Sequence, residues 1–388
     1  MKILMINSVC GIRSTGRICT DLADALTEQG HKVKIAYGRE TVPEQYMKYA
    51  VRIGSDLDVK LHGVRARLLD ESGFGSKRAT IRFIEWVKKF DPDVIHLHNI
   101  HGYYINIEVL FDYLRTCGKK IIWTLHDCWA FTGHAAYCEA ANCERWKKGC
   151  RNCPKRDDYP KALYDNSKLN WLKKRKLFMG IPNLQIITPS KWLAGLVKKS
   201  FLRKYPVSVI YNGIDTSVFK PVDSSALRKK LNLGDRKVIL GVAAVWDERK
   251  GLDDFIKLNK LINKNKYQII LVGLSEMQIA KLPKSIIGIA RTDSVEQLVE
   301  LYSLAHVFVN PTYEDNYPTT NLEAIACGTP VITYDTGGSV ESVPITNVVN
   351  QGDIKRIIEM IKHIDFTYQS NWNFDNNYSI KQYLRLYR

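Results

Sequence analysis

Two carboxylates and the polar loop between them are the residues of this chain most clearly able to do chemistry. Asp315 lies in a loop that follows a short apolar run, and Glu323 lies eight residues later in a predicted helix. Residues 316–320 would place backbone N–H groups at the positive, N-terminal end of that helix, where a phosphate or a partly negative sugar oxygen can bind. Glu323 could accept two hydrogen bonds from a ribose diol, as acidic residues do in other nucleotide sites. The segment therefore predicts a binding site for a ligand that carries phosphate and sugar.

The elements that would position this site repeat along the whole chain. Short apolar runs rich in β-branched residues, such as Ile3–Ile6, alternate with longer amphipathic stretches, such as Arg17–Gln29. This alternation predicts βαβ units, and therefore parallel sheets with helices on both faces. A length of 388 residues leaves room for two such domains. A second series of units starts at Lys237, and the Asn-Gly turn at 212–213 lies between the two series.

The charge of the chain narrows the choice of partner. It carries 57 Lys and Arg against 40 Asp and Glu, a formal net charge of +17, which suggests nucleic acid, anionic lipid or a polyanionic small molecule. The basic residues are spread widely, with clusters at 147–155, 168–176 and 198–204. Trp171 and Trp192 accompany two of these clusters, and a basic surface with aromatic anchors is typical of docking on an anionic membrane. A solvated surface is the alternative, and nucleic acid is not expected, because the basic residues are not concentrated in one groove.

Four cysteines in one compact stretch predict a structural metal. They are Cys138, Cys143, Cys150 and Cys153. The stretch is rich in Trp and Lys and has little apolar material of its own, so it cannot bury a core, and a tetrahedral zinc ion would order it. Cys128 and His134 are alternative ligands. A disulfide or redox pair and unliganded thiols are the alternatives to zinc.

Residues 310–333 resemble the donor-binding motif of the family 4 retaining glycosyltransferases. That motif has two acidic residues separated by seven others, followed by Cys-Gly-Thr-Pro-Val, which stands here at 327–331. The family usually has Glu at the first acidic position, which Asp315 occupies here with Glu314 one place earlier. The resemblance extends over nearly the whole chain.

This resemblance implies the GT-B fold, an α/β fold of two facing Rossmann-like doubly wound domains with a C-terminal helix that crosses back to the first domain. The N-terminal, acceptor-side domain would comprise residues 1–190 together with the crossing helix at 374–388. The C-terminal, nucleotide-sugar-binding domain would comprise residues 191–373. In this fold cationic side chains neutralise the diphosphate of the donor, so no cofactor or metal is expected for catalysis.

The resemblance also implies roles for individual residues. In the second domain Lys250 and Arg249 would neutralise the departing diphosphate, and charge stabilisation of this kind is often the largest catalytic contribution. In the first domain His126, at the end of a predicted strand, would lie near the donor sugar. The catalytic set is Lys250, Arg249, His126 and Asp315. The donor-binding set is Gly16, Arg17, Asn212, Arg291, Glu314, Asn316, Tyr317, Pro318, Thr319 and Glu323.

An acceptor-side set is expected in the first domain. It is His98, His101 and Tyr103. His96 and His98 would point the same way along a strand and form a polar rim of the acceptor cleft, because the side-chain period of a strand is two. In the donor site, Arg249 or Arg291 would replace an arginine that the family commonly has where Val245 stands here.

The function implied is transfer of a sugar from a UDP- or GDP-sugar to a lipid-linked oligosaccharide with retention at the anomeric carbon, in capsule, exopolysaccharide or O-antigen synthesis. The stretches at 72–76, 96–106 and 124–134 resemble the branch that builds bacterial surface polysaccharides, such as the colanic-acid-type transferases. No export signal and no membrane-spanning run is evident in the sequence, so the chain is expected in the cytoplasm, peripheral at the inner face of the cell membrane. Two alternatives are a GT-B enzyme that turns over nucleotide sugars without an acceptor, and a nucleic-acid-binding protein with a zinc knuckle.

Overall fold

The structure, a computed structural model, describes residues 1–364 and 374–388, which form two compact units. The first unit comprises Met1–Tyr211 together with Ile380–Arg388, and the second comprises Asn212–Ser379. Each unit contains one parallel β-sheet with connecting helices. The predicted α/β class with two doubly wound, Rossmann-like domains is therefore confirmed.

The first unit is built on a seven-stranded sheet. Its strands are β1 (Lys2–Ile6), β2 (Lys32–Tyr37), β3 (Ala50–Arg52), β4 (Val94–Leu97), β5 (Lys120–Thr124), β6 (Leu184–Thr188) and β7 (Val207–Val209). Its helices are α1 (Arg13–Glu28), α2 (Asp56–Leu69), α3 (Lys77–Phe90), α4 (Ile107–Thr116), α5 (Ser167–Phe178) and α6 (Lys191–Lys199). The strands lie in the order β3-β2-β1-β4-β5-β6-β7.

Strand β1 shows why the apolar runs of this chain form buried strands. Leu4 and Ile6 pack into one apolar cluster, whereas Ile3 and Met5 pack into another. Successive side chains of a strand point to opposite faces of the sheet, so both faces of this sheet are buried. A continuous apolar run is the pattern expected of such a strand.

The second unit is built on a six-stranded sheet. Its strands are β8 (Lys237–Val242), β9 (Tyr267–Val272), β10 (Ile286–Ile289), β11 (Ala305–Asn310), β12 (Val331–Tyr334) and β13 (Val348–Val349). Its helices are α7 (Ser225–Lys230), α8 (Leu252–Leu261), α9 (Glu276–Lys281), α10 (Val295–Leu304), α11 (Thr319–Ala326) and α12 (Ile354–His363). The strands lie in the order β10-β9-β8-β11-β12-β13. Of the helices that the structure describes, none is both long enough and apolar enough to cross a membrane.

The division between the units differs from the predicted one. It falls between Tyr211 and Asn212 rather than after residue 190, because β7 pairs with β6 at the edge of the first sheet. The last helix, α13 (Asn376–Tyr387), belongs to the first unit from Ile380 onward, as the predicted crossing helix requires. Residues 365–373 of the predicted second domain lie outside the described residues.

Each sheet has one point at which the strand order changes direction. In the first sheet it lies between β1 and β4, and in the second it lies between β8 and β11. The carboxyl ends of the two strands at such a point bound a crevice that commonly binds the ligand in open α/β sheets. The loops after β8 and β11 carry the predicted donor-site residues, and those after β1 and β4 carry part of the predicted first-domain site.

Candidate active site

The loops that follow β8 and β11 are joined to each other at the centre of the second unit. The loop after β8 ends in a short helical turn at Glu248–Lys250, and the backbone N–H of Tyr313 donates to the carbonyl of Arg249 at 2.8 Å. Gly251 follows with φ +72°, and a Cβ at that position would lie 2.3 Å from the carbonyl oxygen of Pro311. Only glycine fits this close approach, which explains the Lys-Gly pair in the sequence.

An ion pair between these loops brings two predicted catalytic residues together. The Nζ of Lys250 lies 2.6 Å from Oδ2 of Asp315, and the two side chains are only 18% and 14% exposed. Burial by itself would raise the pKa of the Asp315 carboxyl, but the Lys250 ammonium and the Arg249 guanidinium lower it below its ordinary value. The carboxylate is therefore ionised at neutral pH and holds the ammonium in place.

Of the two arginine candidates, Arg249 lies beside the Lys250–Asp315 ion pair and Arg291 does not. Nη1 of Arg249 donates to the carbonyl oxygen of Glu314 at 2.7 Å, so Arg249 lies against the loop that carries Asp315. Arg291 is exposed in the loop after β10, and β9 separates β10 from β8 in the sheet. The structure thus groups Arg249, and not Arg291, with Lys250.

Glu323 is almost fully buried inside α11. It is 2% exposed, and its Oε2 accepts a hydrogen bond from the hydroxyl of Tyr302 at 2.9 Å. Close by along the helix, Asn321 accepts from Asn310 at 2.9 Å and donates to Ser342 at 2.8 Å. These polar bonds fix the start of α11. No sequence signal marks Tyr302 or Ser342 as partners, although Asn310 and Asn321 both fall within the motif at 310–333.

The N-terminal end of α11 has the form expected of a phosphate site. The helix begins at Thr319 after Pro318, and no side chain caps it. The backbone N–H of Asn316 donates to Oδ1 of Asp315 at 2.9 Å. Asn212, from the Asn-Gly turn, donates to the carbonyl of Tyr317 at 3.2 Å. The predicted donor-binding residues of the second unit, apart from Arg291, therefore surround one helix terminus.

The first unit holds a second polar group at the ends of β4 and β5. Nδ1 of His98 lies 3.0 Å from Nε2 of His126, and Nε2 of His101 lies 2.9 Å from Oδ2 of Asp127. Burial lowers the pKa of His126 to about 4, so this imidazole is neutral at physiological pH. Nδ1 of His101 lies 3.2 Å from the hydroxyl of Tyr159, a residue the sequence analysis did not identify.

The predicted polar rim of His96 and His98 is wrong. Both side chains are buried, at 0% and 1% exposure, because β4 is a central strand with a neighbour on each side. His96 is held between the hydroxyl of Tyr387, at 2.6 Å, and that of Thr124, at 2.8 Å. It therefore anchors the last helix, and His98 lies beneath His126.

Tyr103 lines an open pocket of about 390 Å³ on the first unit. The other lining residues are Gly63, Arg67, Asp157, Asp158, Tyr159 and Lys161. Tyr103 has a positive φ of +70°, which is uncommon outside glycine, and the Arg39 guanidinium lies 5.8 Å from its ring centre. Aromatic rings among carboxylates and cations form a surface suited to a polar, hydroxylated ligand.

Gly16 and Arg17 lie on α1, directly after the loop that follows β1. Gly16 is buried, and its carbonyl accepts from the backbone N–H of Gly11 at 3.3 Å. A Cβ on Gly16 would lie 3.1 Å from a methyl group of Val9, so glycine allows the loop to fold closely against the helix. Both residues thus lie beside the crevice of the first sheet.

The four clustered cysteines line one small pocket in the first unit, together with His134. All nine cysteines of the chain lie in its described part, and none forms a disulfide. Among residues 1–364 and 374–388, no group of three or more His, Cys, Asp or Glu side chains is already arranged as a metal site.

Two family models match this chain, one over most of the first unit and one over most of the second. The model "Glycosyltransferase Family 4" matches residues 15–218, and the model "Glycosyl transferases group 1" matches residues 223–364. The chain is 22% identical over 425 residues to a putative colanic acid biosynthesis glycosyl transferase, WcaC, of Escherichia coli K12, covering 100% of both chains. It is 28% identical over 217 residues to the processive diacylglycerol alpha-glucosyltransferase of Acholeplasma laidlawii, covering 52% of this chain and 63% of that one.

A solved structure shares the fold over its whole length. Anabaena HepE, determined in complex with UDP and glucose, superposes with a TM-score of 0.69 at 15% identity, covering 99% of this chain and 98% of that one. This likeness bears out the GT-B fold implied by the motif. The Family 4 model alone spans more than half of the chain, and the group 1 model matches most of the remaining residues. The chain therefore belongs to Glycosyltransferase Family 4.

Proposed function

We propose that this protein transfers a sugar from a nucleotide-sugar donor to a lipid-linked oligosaccharide, with retention at the anomeric carbon, during synthesis of a bacterial surface polysaccharide. The observation that carries the proposal is the Lys250–Asp315 ion pair beside the N-terminal end of α11. The names of the relatives support the substrate classes: colanic acid for WcaC, a diacylglycerol for the Acholeplasma enzyme, and UDP with glucose in the HepE complex.

The chemistry assigned to the donor site is charge neutralisation. Lys250 and Arg249 stabilise the negative charge that develops as the bond between the anomeric carbon and the diphosphate oxygen breaks. The acceptor hydroxyl bonds to that carbon from the same face, and its proton passes to the departing phosphate oxygen. No protein nucleophile is required, so positioning and charge stabilisation account for the catalysis.

The function is tested first by donor binding. In a thermal-shift screen of UDP- and GDP-sugars, we expect one donor to raise the melting temperature, because a ligand specific for the folded state stabilises it. With that donor and a lipid-linked acceptor, NMR of the product should show the anomeric configuration of the donor. Inversion at that carbon would exclude retention, and full-rate donor turnover without an acceptor would favour the acceptor-independent alternative.

A substitution of Glu323 tests whether this residue binds the donor. We expect Glu323→Gln to weaken donor binding about tenfold to a hundredfold with little change in kcat, because a hydrogen bond to a charged group contributes about 1.5–3 kcal/mol. Glutamine can still accept from Tyr302, so the fold should be kept. Glu296→Gln, on the exposed surface of α10, is the control. Unchanged donor affinity in Glu323→Gln would remove Glu323 from the donor site.

We also propose that the first unit docks on an anionic membrane, which is where a lipid-linked acceptor resides. Helix α2 exposes an apolar stripe of Leu57, Leu61, Val64 and Leu68, each 49–63% exposed. This spacing places them on one face of the helix. Next to α2, the backbone N–H of Leu163 donates to the carbonyl of Arg67 at 2.7 Å, and Leu163 and Tyr164 are also exposed.

The aromatic anchors expected from the sequence require correction. Trp171 is 3% exposed, and its indole N–H donates to the carbonyl of Trp146 at 2.9 Å, so it packs in the core. On α5 the exposed residues are instead Lys168, Leu169, Leu172, Arg175 and Lys176. The proposed membrane surface therefore combines leucines with basic residues, which suits insertion at an anionic interface.

Vesicle sedimentation tests this surface. We expect binding to phosphatidylglycerol vesicles, weaker binding to phosphatidylcholine vesicles, and a loss of about tenfold or more for Leu61→Glu with Leu68→Glu, because each buried leucine contributes about 1.5–3 kcal/mol. Met277→Glu, on α9 of the second unit and 70% exposed in the wild type, is the control. Equal binding to both vesicle types would remove the electrostatic part, and unchanged binding of the double variant would remove α2.

A further inference from the structure

The cysteine pocket contains a buried histidine that has an unused ring nitrogen. His134 has a fully buried side chain, and its Nδ1 lies 2.5 Å from Oδ1 of Asp70. Within the described part of the chain, its Nε2 is buried without a hydrogen-bond partner. A buried nitrogen left in this way is costly, so it calls for a partner inside the pocket that His134 lines.

Asp70 determines which nitrogen of His134 is available. The carboxylate accepts from Nδ1–H, which leaves the lone pair on Nε2. Asp70 is itself fixed, because its Oδ2 accepts from the backbone N–H of Asn166 at 3.0 Å and its carbonyl accepts from the side chain of Asn170 at 2.5 Å. A histidine oriented by a buried carboxylate is the usual arrangement for a metal ligand.

The thiols surround the same small space. Cys138, Cys143, Cys150 and Cys153 line it with His134, and its volume is about 10 Å³, the size of a single small occupant. Cys143, Cys150 and Cys153 are close enough to interact electrostatically with one another. The backbone N–H of Gly133 donates to Sγ of Cys150 at 3.2 Å, which fixes the position of this sulfur in the pocket.

We propose that this pocket is a structural zinc site whose ligands are Nε2 of His134 and the thiolates of Cys143, Cys150 and Cys153. One imidazole and three thiolates form a usual tetrahedral set for structural zinc. The side chains are not preset at metal-binding geometry. Zinc would therefore draw the thiols inward, releasing three thiol protons to solvent as it binds.

One zinc ion with three thiolates and a neutral imidazole has a net charge of minus one, and a lysine lies close to the site. Lys174 on α5 is 1% exposed and interacts electrostatically with Cys150, while its Nζ donates to the carbonyls of Trp129 and Thr132 at 2.9 and 3.2 Å. When it is charged, this ammonium offsets part of the negative charge of the site through its interaction with Cys150. In this arrangement His134 connects the zinc to Asp70 at the end of α2, so the metal stabilises the cysteine segment against that helix end.

Metal analysis of the purified full chain tests the site. We expect about one zinc per chain, bound to a tetrahedral site that is nearly full. His134→Ala and Cys150→Ala should each lose it, whereas Cys138→Ser and Cys117→Ser should retain it. Less than about 0.3 zinc per wild-type chain would overturn the proposal, since a structural site should be occupied. Loss in Cys138→Ser with retention in His134→Ala would overturn the assigned ligand set.

Two further measurements do not depend on how the ligand variants fold. Replacement of zinc by cobalt in the wild-type chain should give the thiolate-to-cobalt charge-transfer band and the intense visible bands of a tetrahedral site. A weak octahedral spectrum, or a disulfide among these cysteines found by mass spectrometry without reductant, would overturn the proposal. Asp70→Asn should weaken zinc binding about 10- to 100-fold in competition with a chelator, because it removes the group that orients His134. Unchanged affinity would overturn that positioning role.

Discussion

Lys250→Ala is expected to lower kcat for sugar transfer about 100- to 1,000-fold, with a much smaller effect on donor affinity. Removal of one preorganised charge-stabilising group from an active site commonly has an effect of this size. Lys250 is suited to such a role because Gly251 and Asp315 fix its position before any donor arrives. Steady-state kinetics with a matched donor and acceptor, together with donor affinity from calorimetry, would measure the two effects separately.

The variant also leaves a carboxylate without its partner, so stability must be separated from catalysis. Asp315 is only 14% exposed, and removing one member of a buried ion pair destabilises the fold by leaving an uncompensated charge. The double variant Lys250→Ala with Asp315→Asn should recover most of the lost stability without recovering the rate. If the double variant recovered the rate as well, the ammonium would have no catalytic role.

A matched lysine elsewhere supplies the control for this experiment. Lys257 on α8 pairs with Asp254 at 2.9 Å, but its side chain is 58% exposed. Lys257→Ala should leave kcat within about twofold, since its ammonium is exposed and the buried Asp254 keeps the hydroxyls of Tyr313 and Tyr334 as partners. Equal kinetic effects in the two alanine variants would show that Lys250 contributes only general electrostatics.

The sequence predicted that Asp315, Glu323 and the loop between them come together, because this motif lies in a single strand–loop–helix segment. Asp315, Glu323 and the residues between them are neighbours along the chain, so local pattern alone brings them together. Lys250 was predicted through the family resemblance of its Lys-Gly turn, and the structure adds the reason for the glycine, a close backbone contact of Gly251 with Pro311. The motif did not indicate Tyr302, which lies on α10 and donates a hydrogen bond to Glu323.

The first unit was harder to predict because its polar groups come from distant segments. The period of a strand gives the face on which His96 and His98 lie, but not that both faces of β4 are covered. The partner of His96 is Tyr387, nearly three hundred residues along the chain, and no local pattern links them. The same limit applies to Trp171, whose burial depends on packing against Phe201 and Trp146.

These buried histidines should make the first unit sensitive to acid. Lowering the pH from about 7.5 to about 5.5 is expected to reduce its free energy of unfolding by about 5.5 kcal/mol. Burial lowers the pKa of His62 and of His126 to about 4 and of His96 to about 3, and lowers the pKa of His98 well below its ordinary value. Each imidazole binds a proton readily only after the chain unfolds.

The sign follows from which state takes up protons. Unfolded histidine titrates near pH 6.5, so below that value the unfolded chain binds more protons than the folded one, and stability falls as the pH falls. Each histidine loses about 1.4 kcal/mol per pH unit in this range, until the pH reaches its folded pKa. Above pH 6.5 both states are neutral at these sites, and the full stability is present.

Burial is the main reason why these histidines stay neutral, and the hydrogen bonds of His62 and His96 suit a neutral imidazole. Nε2 of His62 accepts from the backbone N–H groups of Gly73 and Gly75, both at 3.1 Å, so a proton on Nε2 would break two bonds. His96 lies between two hydroxyl groups, with the ring of His98 centred 4.0 Å away. Charging either of these tilted rings would put a cation beside another imidazole in the buried core of the first unit.

Urea titrations at the two pH values, followed by tryptophan fluorescence, would measure the effect, because six of the eight Trp lie within residues 1–211. His96→Asn should reduce the pH dependence by about a quarter, whatever it costs at neutral pH, since it removes one of four such groups. His363→Gln, at an exposed position of α12, should leave the dependence unchanged. Among the carboxylates of the first unit, Asp58 and Asp127 have lowered pKa values and titrate below this range, whereas burial raises the pKa of Asp70, which acts in the opposite direction. A pH dependence that is the same in the wild type and in His96→Asn would mean that the His96 imidazole is not neutral in the folded chain.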